Sequence, residues 1–220
     1  MYARNVMKKD TVTIGPEASF YEARALIHEK GIRHLPVIDK HNRIVGIVTD
    51  RDIREVGPSD ATMLSVQELH YLLGKLKVSS FMTPMENLVT VAPNTTIEKA
   101  AQLMHDNKVG CLPILEGNEF VGIITETDIL ETFVDVMGLN EKGTRITMAL
   151  EDEPGVMHNV LEVFKQFNVN LISVVAPSYK VEGKRMVVFR IRTHEYEEIV
   201  QELEKKLGYQ VVSVVKWPSM

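Results

Sequence analysis

A motif that combines a glycine, a threonine and an aspartate occurs twice in this chain of 220 residues. Its pattern is Gly-h-h-Thr-x-x-Asp, where h is apolar, and the copies run from Gly46 to Asp52 and from Gly122 to Asp128. A threonine hydroxyl can hydrogen-bond a phosphate or sugar oxygen, and an aspartate three residues later can accept both hydroxyls of a ribose. The glycine would let a flat ligand approach the strand closely. The alternative is that threonine and aspartate only cap a helix N-terminus.

The motif lies at the end of a longer internal repeat. When the chain is shifted by about 77 positions, Thr11-Val12-Thr13 aligns with Leu88-Val89-Thr90, and His34-Leu35-Pro36 aligns with Cys111-Leu112-Pro113. Two copies of one small unit are therefore present, and their matching context favours the binding interpretation over simple capping.

Each copy shows the same predicted order of elements. An extended segment leads into an amphipathic helix, two apolar runs around a polar turn predict a β-hairpin, and a final helix begins near the motif aspartate. Ser19 with Glu22 predicts a capping box for the first helix of copy one, and Thr95 with Glu98 predicts one in copy two. A unit of about 55 residues buries little surface alone, so we expect the copies to pack against each other.

The rest of the chain has a different pattern. Residues 57–79 connect the copies and predict a linker helix capped by Ser65 and Glu68. From about Thr144 the order becomes βαββαβ, which is typical of an antiparallel sheet with both helices on one face. The predicted strands are residues 146–150, 170–175, 186–192 and 210–215, and the predicted helices are residues 156–167 and 196–207. The fold class is therefore α+β.

Composition excludes several classes of function. A net charge of -5 and a pI near 5.8 argue against binding to nucleic acid or to an anionic membrane surface. Without a run of about 18 apolar residues or a signal-peptide core, the chain is expected in the cytoplasm. Cys111 is the single cysteine, and the seven histidines form no metal motif, so we expect no disulfide and no metal. Because no acid, base and nucleophile cluster, we expect no enzymatic activity.

The two copies differ in charge. Residues 1–56 carry ten Lys/Arg and eight Asp/Glu, whereas residues 57–143 carry five and twelve. Arg33 in the first copy aligns with Gly110 in the second. A phosphate needs cationic donors, so we expect Arg33, together with His34, to bind phosphates, and one site to take a less charged compound or stay empty. The alternative is that Arg33 is a surface residue paired with a carboxylate.

Residues 1 to about 135 resemble a tandem pair of CBS domains, a Bateman module, on the repeated motifs quoted above. The resemblance implies two repeats packed about a pseudo-twofold axis, with clefts for AMP, ADP, ATP or S-adenosylmethionine. It implies that the motif aspartates bind ribose, that the threonines contact ribose or phosphate, and that the leading segments recognise adenine. The expected nucleotide-binding residues are Thr11, Val12, Thr13, Arg33, His34, Thr49, Arg51, Asp52, Val89, Thr90, Cys111, Thr125 and Asp128.

Residues 144–220 resemble an ACT domain, a ferredoxin-like regulatory fold that commonly binds amino acids at a dimer interface. The resemblance rests on Asp152-Glu153-Pro154-Gly155, the helix after it and Val169-Asn170-Leu171. It implies an amino-acid site at Asp152, Pro154, Gly155 and Asn170. Alternatively, Pro154 suits the first helical position, Gly155 permits tight packing and Asn170 shapes a turn.

The complete arrangement resembles the AcuB type of protein associated with acetoin utilisation. We expect CBS repeats at residues 1–56 and 80–138, a linker at 57–79 and an ACT domain at 144–220. The resemblance implies a non-enzymatic homodimer that senses an adenosyl ligand and relays the signal to its ACT domain or to a partner enzyme. The alternatives are an assembly scaffold with vestigial ligand sites and an unrecognised enzyme.

Overall fold

The computed structural model describes residues 1–57, 65–178 and 180–217, and the chain forms two compact units, Met1–Ile129 and Leu130–Met220. Residues 58–64, the first part of the predicted linker, lie outside the described residues. In the described part of the chain, no helix is both long enough and apolar enough to cross a membrane.

The first unit contains the two repeats, each built as a helix, an antiparallel hairpin and a second helix. The helices are α1 (Ala3–Val6), α2 (Phe20–Lys30), α3 (Asp50–Val56), α4 (Val66–Lys75), α5 (Ile97–Asn107) and α6 (Glu126–Val136), which begins in this unit. The strands are β1 (His34–Ile38), β2 (Ile44–Thr49), β3 (Thr83–Pro84), β4 (Cys111–Glu116) and β5 (Glu119–Thr125). Two short 3-10 turns, Val78–Ser80 and Met85–Asn87, flank β3. The predicted order of elements within each repeat is confirmed.

Two helix starts follow the predicted capping boxes. Ser19 caps α2, and the Glu22 carboxylate accepts hydrogen bonds from the backbone N–H and the hydroxyl of Ser19. Ser65 and Glu68 form the same reciprocal pair at α4. Each box satisfies donors that the first helical turn would leave without partners. Helix α2 ends at Gly31, whose positive φ of 60° suits glycine.

The predicted capping box at Thr95 and Glu98 is wrong. Helix α5 is capped one residue later by Thr96, whose hydroxyl accepts from the Lys99 backbone N–H at 3.3 Å. The Thr95 hydroxyl instead accepts from the Ala92 N–H at 3.2 Å, which closes the turn before the helix. Two adjacent threonines offered the same chemistry, and the turn decided between them.

The leading segment of each repeat packs on the other repeat. Ala3 lies in the core formed by Ile97 and Leu112 of the second repeat, and Val78 lies in the core formed by Phe20 and other residues of the first. The backbone pairing is reciprocal too, because β3 pairs with β2 of the first repeat while the segment after α1 bridges to β5 of the second. The repeats therefore exchange their leading segments.

The motif glycines stand where the exchanged segments cross the hairpins. A Cβ on Gly46 would lie 2.7 Å from the Thr83 carbonyl oxygen, and a Cβ on Gly122 would lie 2.5 Å from that of Lys8. Such contacts are too close for any side chain. The glycines thus make room for the other repeat's backbone, which corrects the interpretation that they open the strand to a flat ligand.

Among the described residues, the second unit is a five-stranded antiparallel sheet with two helices on one face. Its strands are β6 (Gly143–Leu150), β7 (Leu171–Val175), β8 (Lys180–Val181), β9 (Lys184–Ile191) and β10 (Gln210–Trp217), and its helices are α7 (Val156–Gln166) and α8 (Glu197–Gln201). The sheet order is β10-β6-β9-β7, and the short β8 pairs with β9. Helix α8 continues as a short π-helix, Glu202–Lys206. Phe164 of α7 and Leu203 of this continuation pack with Ile146 and Phe189 in one buried core. The predicted βαββαβ fold is confirmed.

Candidate functional site

Two cavities lie between the repeats, and each takes its walls from both. The first, of about 320 Å³, joins the motif residue Thr49 to Leu88 and Val89 of the second repeat. The second, of about 370 Å³, joins the motif residue Thr125 to the leading segment of the first repeat. We call them the first and second cleft. The motif of one repeat therefore faces the extended segment of the other.

Most of the predicted nucleotide-binding residues line one of the clefts. Those in the first are Arg33, His34, Thr49, Arg51, Val89 and Cys111. Those in the second are Thr11, Val12, Arg33, His34 and Thr125. The predicted residues outside both linings are Thr13, Asp52, Thr90 and Asp128.

The threonine and aspartate of each motif bind each other. Asp52 Oδ2 accepts from the Thr49 N–H at 2.7 Å and from its hydroxyl at 2.8 Å. Asp128 Oδ2 accepts from the Thr125 N–H at 2.7 Å and from its hydroxyl at 2.6 Å. These are capping boxes at the starts of α3 and α6. Helix capping therefore uses one carboxylate oxygen of each aspartate.

The second oxygens of the two aspartates differ in their surroundings. Asp128 is 4% exposed, and its Oδ1 lies 3.2 Å from the Lys8 ammonium at the edge of the second cleft. Asp52 is only partly buried, and among the residues that the structure describes none donates a hydrogen bond to its Oδ1. Asp52 thus retains an acceptor oxygen, and its neighbours Thr49 and Arg51 line the first cleft.

Arg33 and His34 belong to both clefts. The Arg33 guanidinium donates to the Thr127 hydroxyl at 3.1 Å, so it reaches from the first repeat to the second. Burial, and then the charge of Arg33, lower the pKa of His34, which keeps this imidazole neutral at pH 7. A Cβ on Gly110 would lie 3.0 Å from His34 Nε2. Gly110, which aligns with Arg33, therefore leaves room for the His34 ring.

The first cleft carries more positive charge than the second. Its basic side chains are Arg33, Arg51, Arg54 and Lys108, and its acidic ones are Asp50 and Glu126. The second cleft has only Lys8 and Arg33 as basic side chains and Asp10 as an acid. A ligand with several phosphate charges is therefore better matched by the first cleft.

Three of these basic residues were not predicted from the sequence. Arg54 lies one helical turn after Asp50, with which it pairs at 2.8 Å, so helical periodicity could have placed it beside the motif. Lys8 precedes the Thr11 segment and could have been included with it. Lys108 carries a positive φ of 56° at the end of α5, a position that no sequence pattern distinguishes.

The predicted residues of the second unit lie outside the cavity that is described for this unit. Asp152 is exposed, and hydrogen bonding to Lys180, 2.9 Å away, lowers the pKa of its carboxyl. The Asn170 carbonyl accepts from the Arg192 N–H at 2.9 Å. A cavity of about 510 Å³ in this unit is lined by Phe167, Asn168, Val169, Arg192, Thr193, Glu195, Glu197, Glu198 and Ile199, and by none of the four predicted residues.

Gly155 has a conformational role rather than a packing role. It caps α7 with a φ of 91°, a left-handed conformation that favours glycine. A Cβ at this position would meet nothing within 4 Å, which corrects the alternative that Gly155 permits tight packing. Pro154 precedes this cap, so it is not the first helical residue.

The repeats match the profile of the CBS domain at residues 3–59 and 78–135, which together make up more than half of the chain. The chain belongs to the CBS domain family. Its C-terminal part matches the TTHA0829-like ACT domain at residues 142–215. The protein is therefore a CBS pair followed by an ACT domain.

Named relatives share the CBS pair. The chain is 30% identical over 135 residues to the CBS domain-containing protein DDB_G0289609 of Dictyostelium discoideum, covering 61% of this chain and 92% of that protein. It is 35% identical over 127 residues to the inosine-5'-monophosphate dehydrogenase of Bifidobacterium longum, covering 57% of this chain. The chain spans only 21% of that enzyme, within its CBS portion, so this likeness does not show catalysis.

Solved structures of CBS pairs have the same fold. An acetoin utilization protein (AcuB) from Vibrio cholerae superposes with a TM-score of 0.53 at 25% identity, over 64% of this chain and 95% of that chain. CBSX2 in complex with AMP superposes with a TM-score of 0.52 at 25% identity, over 62% of this chain and 98% of that chain. The fold of this CBS pair thus occurs in a protein that binds AMP.

The cysteine of the CBS pair lies in the wall of the first cleft. Cys111 is 7% exposed, and burial, assisted by the nearby Glu126 carboxylate, raises the pKa of its thiol to about 12. It packs in an apolar cluster with Ile47 and Ile123. The thiol is therefore uncharged at neutral pH and shapes the cleft as a small apolar group.

Proposed function

We propose that this protein is a non-enzymatic regulator whose CBS pair binds an adenosyl ligand, namely AMP, ADP, ATP or S-adenosylmethionine. The observation that carries the proposal is the composition of each cleft, which unites the motif of one repeat with the leading segment of the other. Support also comes from CBSX2, whose solved structure contains AMP.

In the first cleft, each part of a nucleotide has a matching group. The Asp52 Oδ1 oxygen is available to a ribose hydroxyl, because the Thr49 cap uses only Oδ2. The segment at Leu88 and Val89 offers backbone groups to an adenine, together with the apolar wall near Cys111. The four basic side chains of this cleft bind the phosphates, and Arg33 is the one shared with the second cleft.

The second cleft is proposed to take a less charged adenosyl compound. The Lys8 ammonium already neutralises Asp128 there, at 3.2 Å, so a ribose must displace this ion pair to reach the carboxylate. Thr11 and Val12 supply the backbone for the base, and Thr125 supplies the motif hydroxyl. Binding in this cleft should therefore be weaker than in the first.

The regulatory part of the proposal concerns the whole chain. A ligand transmits a signal only if it binds one arrangement of the protein better than another, and we propose that the ACT domain or a partner enzyme responds to that change. The AcuB likeness supports a role in acetoin or acetyl-CoA metabolism. We also propose that the protein is a homodimer in the cytoplasm. Its ACT domain would bind an amino acid at four residues, Asp152, Pro154, Gly155 and Asn170.

Isothermal titration calorimetry of the full chain tests the ligand. The titrants are AMP, ADP, ATP, S-adenosylmethionine, NAD and a set of amino acids. We expect at least one adenosyl compound to bind, and Asp52→Asn to weaken it about tenfold or more, because the ribose loses charge-assisted hydrogen bonds. The asparagine keeps an oxygen for the Thr49 cap, so the helix start is preserved.

Three outcomes would contradict the proposal. If the normally folded protein binds no adenosyl compound, the assembly scaffold is favoured. Helix capping would then be a sufficient reason for the presence of both motifs. Turnover of a titrant by the purified chain would favour an enzyme. Full affinity in Asp52→Asn would show that ribose is not bound at this carboxylate.

A further inference from the structure

Two arginines lie side by side on the ACT sheet. Arg145 of β6 is the direct cross-strand partner of Arg190 of β9. Both side chains project from the face opposite α7 and α8, because the alternate residues Ile146 and Phe189 lie in the helix-covered core. Side chains at such paired positions are about 5 Å apart at their Cβ atoms.

One donor of the Arg190 guanidinium is buried without a hydrogen-bond partner among the described residues. Arg190 is 6% exposed, and its Nε has no partner among the residues that the structure describes. The Trp217 ring lies 5.1 Å from its central carbon and covers one face of the group. Stacking of this kind uses the face of a guanidinium and not its in-plane N–H donors. Arg145 donates one hydrogen bond to the Thr147 hydroxyl at 2.7 Å.

The charges of this pair are not balanced within the described chain. Neither Arg145 nor Arg190 forms an ion pair there, whereas the next arginine along β9, Arg192, pairs with Glu141. Burial, and then the like charge of Arg145, lower the pKa of Arg190. A buried charge without a counter-charge is costly, and proteins usually satisfy it with a carboxylate or a bound anion.

We propose that Arg145 and Arg190 form a binding site for an oxyanion group, a phosphate or a carboxylate, on the face of the ACT sheet opposite its helices. Such a group offers two or more acceptor oxygens, which matches the planar array of donors on two neighbouring guanidinium groups. Arg145 is only partly buried, so a small anion reaches the pair from its side. This site is separate from Gly155 and Asn170 and does not depend on the nucleotide clefts.

The sole tryptophan of the chain makes the site directly observable. Trp217 fluorescence of the full-length protein is titrated with inorganic phosphate and, separately, with N-acetylglycine, a carboxylate without an ammonium group. We expect a saturable change with at least one anion, because an anion on Arg190 alters the charge over the indole ring. The two titrations distinguish a phosphate source from a carboxylate source.

Matched variants separate this site from the rest of the molecule. Arg145→Gln and Arg190→Gln should each weaken the anion about tenfold or more, since each removes a charge-assisted contact. Arg192→Gln, whose arginine already pairs with Glu141, and Arg33→Ala, which weakens phosphate binding in the nucleotide clefts, should leave the response unchanged. Arg145→Gln is the safer variant for folding because its side chain is the more exposed of the pair.

Four results would overturn the proposal. The first three are a Trp217 signal that neither anion changes, a response that persists in both glutamine variants, and a response that appears only as protein concentration rises. The last result would mean that the arginines bind a carboxylate of a second protein molecule instead of a small anion. Loss of the response in Arg33→Ala alone would place the anion in the CBS clefts and would also count against this site.

Discussion

The guanidinium of Arg33 donates a hydrogen bond to the Thr127 hydroxyl across the boundary between the two repeats, at 3.1 Å. This contact places one cation in the walls of both clefts. Thr127 occupies the position that Arg51 has in the first repeat, so the two repeats differ in charge at this contact. Phosphate recognition in either cleft should depend on this side chain.

Replacing Arg33 should affect phosphate-bearing ligands selectively. We expect Arg33→Ala to weaken ATP or AMP about tenfold or more and to leave adenosine nearly unchanged, because the lost contact is a charge-assisted hydrogen bond to phosphate. Calorimetry with the three compounds checks this. Arg24→Ala, which removes an exposed arginine of α2 outside both clefts, is the matched control. Equal loss for adenosine and ATP would contradict the prediction.

The motif aspartates should contribute to stability even without ligand. Asp52→Ala removes a capping interaction and should lower the free energy of unfolding by about 1 kcal/mol. Asp128→Ala should cost more, about 2 kcal/mol, since it also removes the ion pair with Lys8 and leaves partly buried donors on Thr125. Urea denaturation of the ligand-free protein measures both. An equal or reversed order would show that burial of Asp128 has no energetic consequence.

The motif glycines should not tolerate a methyl group. Gly46→Ala and Gly122→Ala force a Cβ against the backbone oxygens of Thr83 and Lys8, so we expect each to destabilise the protein by about 1 to 3 kcal/mol. Gly15→Ala is the control, because a Cβ there meets nothing within 4 Å. Thermal unfolding in the absence of ligand gives the comparison. Native-like stability of both variants would mean that the crossing segments can shift.

Cys111 should resist thiol reagents in the folded protein. With a pKa of about 12, only about one thiol in ten thousand is ionised at pH 8, and the thiolate is the reactive form. The rate of reaction with a disulfide reagent should rise about tenfold for each pH unit and become fast only after unfolding in guanidinium chloride. Rapid labelling of the native protein at pH 8 would show that the first cleft opens to the reagent.

The repeat allowed much of the fold to be predicted from the sequence. Apolar periodicity placed the helix and hairpin of each copy, and Ser19 with Glu22 marked a helix start correctly. Local pattern could not decide between Thr95 and Thr96, because both have the same cap chemistry and the preceding turn makes the choice. Sequence therefore predicts elements more reliably than their first residues.

Contacts between distant segments were beyond such reasoning. The motif glycines looked like ligand contacts, since nothing local indicates that Lys8 crosses Gly122. Lys108 in the first cleft likewise depends on how the repeats pack. The pairing of Arg145 with Arg190 joins residues 45 positions apart, and it is fixed by the register of β6 and β9.

The reciprocal crossing of the leading segments makes the CBS pair behave as a swapped dimer fused into one polypeptide. Ala3 completes the core of the second repeat, and Val78 completes that of the first. A protease cut between the repeats would therefore leave two fragments that hold each other rather than two independent domains. Neither half could be expressed alone with its own core intact, and two halves made separately should reassemble only with each other.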